Sequence, residues 1–334
     1  MAQTRFTLKI SLTRVKRVEI VFLGTSSGVP TRSRNVSSLA VRLKQRGEIW
    51  LFDCGEGTQH QLLQSDLKVG RIRRIFITHM HGDHVFGLMG LLASIGLAGA
   101  PDRIDLYGPP QLETYLDACA RYSHTHLHYP ITVHKHKPGV IYEDEDYRVL
   151  CDRLDHRIPA YGYRLEERDR PGRFDVAKAQ ALGIPPGPIY GQLKQGQQVT
   201  LADGRVIQGQ DLCGDPQPGR KFVYCTDTIY CENAVRLSQG ADVLIHEATF
   251  SHRDANLAQQ RLHSTSTMAA QVALAAGVKQ LFMTHFSPRY APGNDLDLRD
   301  LLNEARAIFP QTDLAYDFLT YEVPKPAKAM AISG

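Results

Sequence analysis

The chain has 334 residues, of which 43% are hydrophobic and 22% charged, with a net charge of +4 and a pI near 8.7. That is enough apolar material for a large core, as one layered domain or as a core with an insertion, and the mild basicity suits a nucleic-acid partner and an ordinary basic enzyme equally well. The cysteines (Cys54, Cys119, Cys151, Cys213, Cys225, Cys231) are scattered without a C-x-x-C pair, which argues against a disulfide scaffold and for free thiols in a reducing compartment.

Residues 1–17 read as an extension or an edge strand. They are basic but lack the continuous apolar run of a signal peptide. Val18–Leu23 is a predicted strand, followed by the small-residue loop Gly24–Pro30. Ser37–Leu43 and Glu48–Phe52 alternate as a hairpin that leads into Asp53–Cys54–Gly55–Glu56–Gly57–Thr58, and a helix is expected over Thr58–Ser65. Ile75–Ile77, behind Arg73 and Arg74, reads as a buried strand, and Val85–Ala100, rich in Leu, Met, Ala and Gly, as a buried helix. The latter is the longest apolar stretch and is too short to span a bilayer. These features predict a cytoplasmic protein with no membrane partner. Elements alternate up to about Leu165.

Composition then shifts. Residues 166–172 are charged and end in Pro171–Gly172, and residues 183–219 are rich in Gly, Pro and Gln. Val199–Leu201 and Arg205–Ile207, around Asp203–Gly204, read as a small hairpin, so the segment is expected to be an ordered arm rather than a linker. Alternation resumes at Lys221, with strands over Ala241–Ile245 and Gln280–Met283 and helices over Ser266–Ala276 and Leu298–Phe309. The tail from Pro324 reads as mobile.

The strand-to-helix loop at Thr78–His84 carries His79, His81, Asp83 and His84 in the order H-x-H-x-D-H. Imidazoles and a carboxylate suit a borderline divalent metal. His79 and His81, two apart, point the same way on an extended segment. Asp83 and His84 follow where the chain turns and can face a second ion. A short loop cannot easily close four ligands around one ion, so two ions sharing ligands from elsewhere is the better geometry. Such a pair activates water and clamps a phosphoryl group in displacement. Candidate partners are His156, Asp227 and His285, the last two after short β-prone runs that place them at strand ends. A second histidine series, His124, His126, His128, His134 and His136, contains no acidic or cysteine residue and reads as a solvated loop or strand face.

Over about residues 18–323 these segments together resemble the RNase Z (tRNase Z) family, metallo-β-lactamase-fold endoribonucleases that mature tRNA 3′ ends. The resemblance rests on Gly24–Pro30, on Asp53–Gln59, on His246–Glu247–Ala248–Thr249 with His263–Ser264–Thr265, and on Pro186–Gly187–Pro188 in the arm. The length is that of the family's short form. The resemblance implies an α/β fold, the αββα four-layer sandwich, with a protruding Gly/Pro-rich arm inserted at about 166–215. It implies two zinc ions per subunit, with Mn2+ or another divalent metal as the alternative. His79, His81 and His156 would hold one, Asp83, His84 and His285 the other, and Asp227 would bridge them. Asp83 would also orient or deprotonate the attacking water, and Glu247 with His263 would protonate the leaving 3′ oxygen. His246 would be structural or support them. Gly187, Pro188 and Lys194 would contact a tRNA precursor from the arm, in a homodimer whose arms serve each other's substrates. The competing readings are a hydrolase of small esters on the same fold and a non-enzymatic RNA-binding protein. The arm argues against the first and the complete ligand set against the second.

Overall fold

Every residue of the first strand, β1 (Val18–Gly24), is buried, because apolar cores lie on both its faces. Ile20 and Phe22 join the core between two sheets, while Val21 and Leu23 join one under the outer helices. This strand opens a computed structural model in which residues 17–99, 101–291 and 293–326 are described. Residues 1–16 of the expected extension, Ala100 at the expected end of the apolar helix, and tail residues 327–334 lie outside the described residues.

Strand β1, β2 (Ser38–Leu43) and β3 (Glu48–Phe52) form an antiparallel meander. β4 (Ile72–Phe76), β5 (Ile104–Gly108) and β6 (Ile131–Lys135) continue it in parallel. The crossovers carry helices α1 (Thr58–Gln64), α2 (Gly82–Val85), α3 (Leu88–Leu97) and α4 (Leu112–Ser123). The chain then enters a second sheet through the antiparallel β7 (Gly139–Glu143), β8 (Tyr147–Leu154) and β9 (Ala160–Glu167).

Residues 171–216 form a separate body. Helices α5 (Val176–Ala181) and α6 (Pro188–Lys194) and the hairpin β10 (Gln198–Thr200) and β11 (Val206–Gln208) enclose a small core of Ala179, Ile184, Leu193 and Leu212. The hairpin keeps its expected pairing, with Val199 opposite Ile207, and only its strand bounds differ, by one residue.

The second sheet resumes with the parallel strands β12 (Lys221–Cys225), β13 (Val243–Glu247), β14 (Gln280–Thr284) and β15 (Thr312–Leu314). These are covered by α7 (Glu232–Ser238), α8 (Ala255–Arg261), α9 (Ser266–Ala276) and α10 (Leu298–Arg306). The final strand, β16 (Thr320–Glu322), crosses back to pair with β1. Two seven-stranded sheets, ordered β16-β1-β2-β3-β4-β5-β6 and β15-β14-β13-β12-β9-β8-β7, thus stack face to face with helices outside. This is the expected αββα sandwich.

Three expectations need correction. The single apolar helix is two, broken at Phe86–Gly87. The Gly87 N–H bonds the Cys54 carbonyl at 3.0 Å, and a Cβ on Gly87 would sit 2.1 Å from the Gly55 oxygen, so the helix pauses where it presses on the Asp53 loop. The strand expected over Ala241–Ile245 runs two residues later, carrying Glu247 inside it. His124, His126 and His128 are exposed, but His136 is not a solvated residue. Its ring packs on Tyr161 and Tyr163, its Nε2 lies 2.9 Å from the Tyr163 hydroxyl, and burial pushes its pKa down to about 3. Among the described residues no helix is long and apolar enough to cross a membrane, and all the cysteines are free thiols.

Candidate metal centre

The loops after β4, β12 and β14 and the β8–β9 turn open on one rim of the sandwich, where they bring His79, His81, Asp83, His84, His156, Asp227 and His285 together, with Glu247 at the end of β13 alongside. Parallel strands deliver their C-terminal ends to a common edge, so residues more than 200 positions apart, such as Asp83 and His285, can meet; their Oδ2 and Nε2 atoms lie 3.4 Å apart.

The side chains form two donor sets that share one residue. In the first, His81 Nδ1 lies 3.0 Å from His79 Nε2 and 3.3 Å from His156 Nε2. Asp227 Oδ2 stands 3.6 Å from His79 and 3.9 Å from His156. In the second, Asp83 Oδ2 is 3.5 Å from His84 Nε2 and 3.4 Å from His285 Nε2, while Asp227 Oδ1 is 3.1 and 3.2 Å from the same two nitrogens. A tetrahedron of ligands at the usual zinc–nitrogen distance of about 2.0–2.1 Å has edges of about 3.3–3.4 Å, so both sets have the spacing of donors around a common ion. Each carboxylate oxygen of Asp227 faces a different set.

The unused ring nitrogens support the same reading. His84 Nδ1 bonds Asp53 at 2.8 Å, His156 Nδ1 the Leu262 carbonyl at 2.9 Å, and His285 Nδ1 the Thr249 hydroxyl at 2.9 Å. Such outer partners fix tautomer and ring plane in metal sites. The inward His84 Nε2 is buried with no hydrogen-bond partner, a donor atom that a bound cation would satisfy. Against the upward push of burial, His84 and His285 hold the Asp83 carboxyl far below the usual range, so it is anionic at neutral pH.

Three residues here have left-handed backbone: Asp53 (φ 59°), Asp227 (φ 52°) and His285 (φ 59°). Asp and His tolerate this region better than most residues, and its use at strand ends turns the side chains into the cluster. Asp53, quoted in the sequence motif without a role, is the hub. Its carboxylate accepts from the Thr78 N–H (2.8 Å), the Thr78 hydroxyl (3.0 Å), His84 and the Tyr224 hydroxyl (3.2 Å). Thr249, likewise unassigned, bonds both Glu247 and His285. A carboxylate directly after a β-prone run was the available signal for Asp53; nothing local marks Thr249.

Beside the donor sets, His263 Nδ1 lies 2.9 Å from Glu247 Oε1, and its ring stacks on that of His285 at 5.5 Å between centroids. Glu247 also accepts from the backbone N–H groups of Thr228 (2.6 Å) and Ser264 (3.0 Å). Burial works against the imidazolium of His263, but the adjacent Glu247 carboxylate outweighs it and raises the pKa to about 9. His246 is fully buried with Nδ1 against the Glu247 carbonyl at 2.8 Å, and it does not reach the donor sets. Gly187, Pro188 and Lys194 are exposed on the separate body and stand outside the cluster.

Known proteins similar to this chain fall in one superfamily. The family model described as "Beta-lactamase superfamily domain" matches residues 50–286. The chain is 72% identical over 308 residues to "Ribonuclease Z" of Cyanothece sp. (strain PCC 7425 / ATCC 29141), covering 92% of this chain and 96% of that protein. It is 73% identical over 308 residues to "Ribonuclease Z" of Trichodesmium erythraeum (strain IMS101), with the same coverage of 92% and 96%. Among solved structures it is similar to human tRNase Z, short form, with a TM-score of 0.66 at 31% identity, covering 92% of this chain and 99% of that one.

Proposed function

This chain belongs to the ribonuclease Z family, the endoribonuclease hydrolases that process tRNA 3′ ends, and on that premise we propose that it removes the 3′ trailer from tRNA precursors with two zinc ions per subunit. The products are a 3′-hydroxyl on the tRNA and a 5′-phosphate on the trailer. The observation that carries this reading is the pair of donor sets joined through Asp227, with the Glu247–His263 pair alongside. His79, His81 and His156 would hold one ion and Asp83, His84 and His285 the other, with Asp227 shared between them. Bound divalent metal supplies a nucleophilic water at neutral pH and offsets charge on the phosphate. Mn2+ or another divalent ion fits the same nitrogen and oxygen donors.

Asp83 is placed to orient the attacking water and take its proton. It is held anionic and steadied by the Gly28 N–H at 2.8 Å. His263, protonated through Glu247, donates to the leaving 3′ oxygen. A tRNA precursor is structured RNA, so recognition by shape and backbone suits exposed Gly187, Pro188 and Lys194. Exposed Leu63 on α1 and Leu97 on α3, on helices tied by the Gln59–Ser94 hydrogen bond, support an apolar contact between two copies. A tRNA precursor as substrate supports a cytoplasmic location.

The test is cleavage of a 3′-extended tRNA precursor by zinc-loaded protein with both product ends mapped. A single cut after the discriminator nucleotide is expected. No cut, with hydrolysis of small esters intact, would replace the reading with a small-substrate hydrolase.

The His263 role predicts a leaving-group dependence. His263→Ala should slow RNA cleavage by about 10²–10⁴-fold while leaving bis(p-nitrophenyl) phosphate, whose leaving group needs no proton, nearly unaffected. Because Glu247 raises the His263 pKa, the donor form persists until pH rises through about 9. Glu247→Gln should therefore move the alkaline limb of kcat to lower pH. An unmoved limb, or equal slowing of both substrates in His263→Ala, would exclude proton donation.

A further inference from the structure

The turn between β15 and β16 carries two aromatic rings that the reaction described above does not use. Tyr316 is 55% exposed and Phe318 is 38% exposed. Among the described residues neither ring meets another aromatic ring or a cation, and the Tyr316 hydroxyl has no hydrogen bond. Phe318 also sits at φ 70°, a left-handed conformation that glycine adopts freely and a bulky side chain adopts at a cost. An exposed aromatic kept on unfavourable backbone calls for a use at the surface.

The residue between the two rings ties this turn to the metal centre. Asp317 Oδ1 accepts from the Thr25 hydroxyl at 2.7 Å, and its Oδ2 from the Asn35 N–H at 2.7 Å and from Gln61 Nε2 at 2.9 Å. Arg34 Nη1 donates to the Ala315 carbonyl at 2.9 Å. The loop so gripped is the one whose Gly28 N–H bonds Asp83 and whose Ser27 N–H bonds the carbonyl of Phe286, next to His285. Thr25 and Gly28 are three residues apart, at most about 11 Å of chain. The turn that carries the rings therefore stands against the loop at the rim of the metal centre, and that loop also carries exposed Arg32, two residues before Arg34.

We propose that Tyr316 and Phe318 form a stacking platform for an unpaired nucleotide of the RNA strand that crosses the metal centre. The proposal rests on the ribonuclease reading above. Bases offer flat π-faces to aromatic rings whatever their sequence, and Arg32 complements the adjoining phosphates. A platform on a turn pinned at Ala315 and Asp317 loses little freedom when it binds.

The test measures KM for a 3′-extended tRNA precursor and kcat for bis(p-nitrophenyl) phosphate in zinc-loaded Tyr316→Ala, Tyr316→Leu, Tyr316→Trp and Phe318→Gly. Loss of either ring should raise KM by about tenfold, with Tyr316→Trp near the parent and Tyr316→Leu as poor as Tyr316→Ala. Hydrolysis of the small diester and zinc content should not change. Phe318→Gly, which relaxes the backbone, should keep its Tm within a few degrees of the parent. An unchanged KM in the Tyr316→Ala/Phe318→Gly double variant overturns the proposal. So does a leucine as good as tryptophan, or equal slowing of the small diester, which would make the turn a support for the metal loop. A lowered sedimentation coefficient would also overturn it, by assigning the rings to contact between copies. Failure of the ribonuclease reading is recognised separately, in a parent protein that does not cut the precursor at all.

Discussion

Asp227→Ala should abolish hydrolysis of tRNA precursor and of bis(p-nitrophenyl) phosphate together, by about 10³-fold or more. The expectation follows from the position of one carboxylate. Its Oδ1 lies 3.1 Å from His84 Nε2 and 3.2 Å from His285 Nε2, and its Oδ2 lies 3.6 Å from His79 Nε2. Its two oxygens thus face different donor sets. Truncation leaves each set one donor short and removes the negative charge that lets two cations sit close together. Bound metal, measured by elemental analysis after gel filtration, should fall from two ions to one or fewer per chain. Asp227→Asn should retain the shape but not the charge and should be nearly as poor. The fold should survive, because Asp227 lies at the rim and contributes to neither apolar core. An Asp227→Ala protein that keeps two ions and full activity would show that the sets are independent and would remove the bridging role.

The parts of this site differ in how plainly the sequence displays them. His79, His81, Asp83 and His84 are legible because one extended segment and one turn place them, and both follow from local spacing. His156, Asp227 and His285 are separated from that segment by whole sheets. Locally Asp227 and His285 are residues after β-prone runs and His156 is a turn residue, and only the common rim, built from the ends of parallel strands and the antiparallel β8–β9 turn, makes them neighbours. The work of Asp53 and Thr249 is less legible still. Asp53 acts through a left-handed backbone at the end of β3 and through partners in the loop after β4, on α2 and on β12, none of which a linear pattern encodes. His136 was misjudged for the same reason. Its neighbours in sequence are polar, but the β6–β7 connection dips between the sheets, and the Gly108 carbonyl takes its N–H at 2.9 Å. Continuous apolar runs made the individual buried strands legible, while the αββα layering came only from the motifs' resemblance to a known family, and element ends, such as the break at Phe86–Gly87, depended on contacts with the Asp53 loop.

Replacing Pro171–Pro216 by a short Gly-Ser linker should abolish cleavage of tRNA precursor while sparing the small diester. The excision is structurally mild. Arg170 and Gln217 face each other as an antiparallel pair, with N–H to carbonyl distances of 3.0 and 2.8 Å, so the cut ends are already adjacent. The removed body has its own core around Ala179, Ile184, Leu193 and Leu212 and none of the metal-centre donors. Loss of a remote grip raises KM for a large substrate and leaves chemistry on a small one untouched. Equal loss of both activities would show that the arm supports the metal centre rather than the substrate. The same variant tests whether arms act between copies. Arm-less protein retains donor sets, and Asp227→Ala protein retains an arm, so neither alone should process the precursor. Mixed in equal amounts under conditions that exchange subunits, they should recover about a quarter of the parent activity if arms work across a two-fold interface, because half the dimers are mixed and each has one working site. An arm serving its own subunit leaves the mixture dead, since no chain then owns both parts. A Leu63→Glu/Leu97→Glu background, which charges the exposed apolar face of α1 and α3, should prevent the recovery. Recovery that persists there would place the contact between copies elsewhere on the surface.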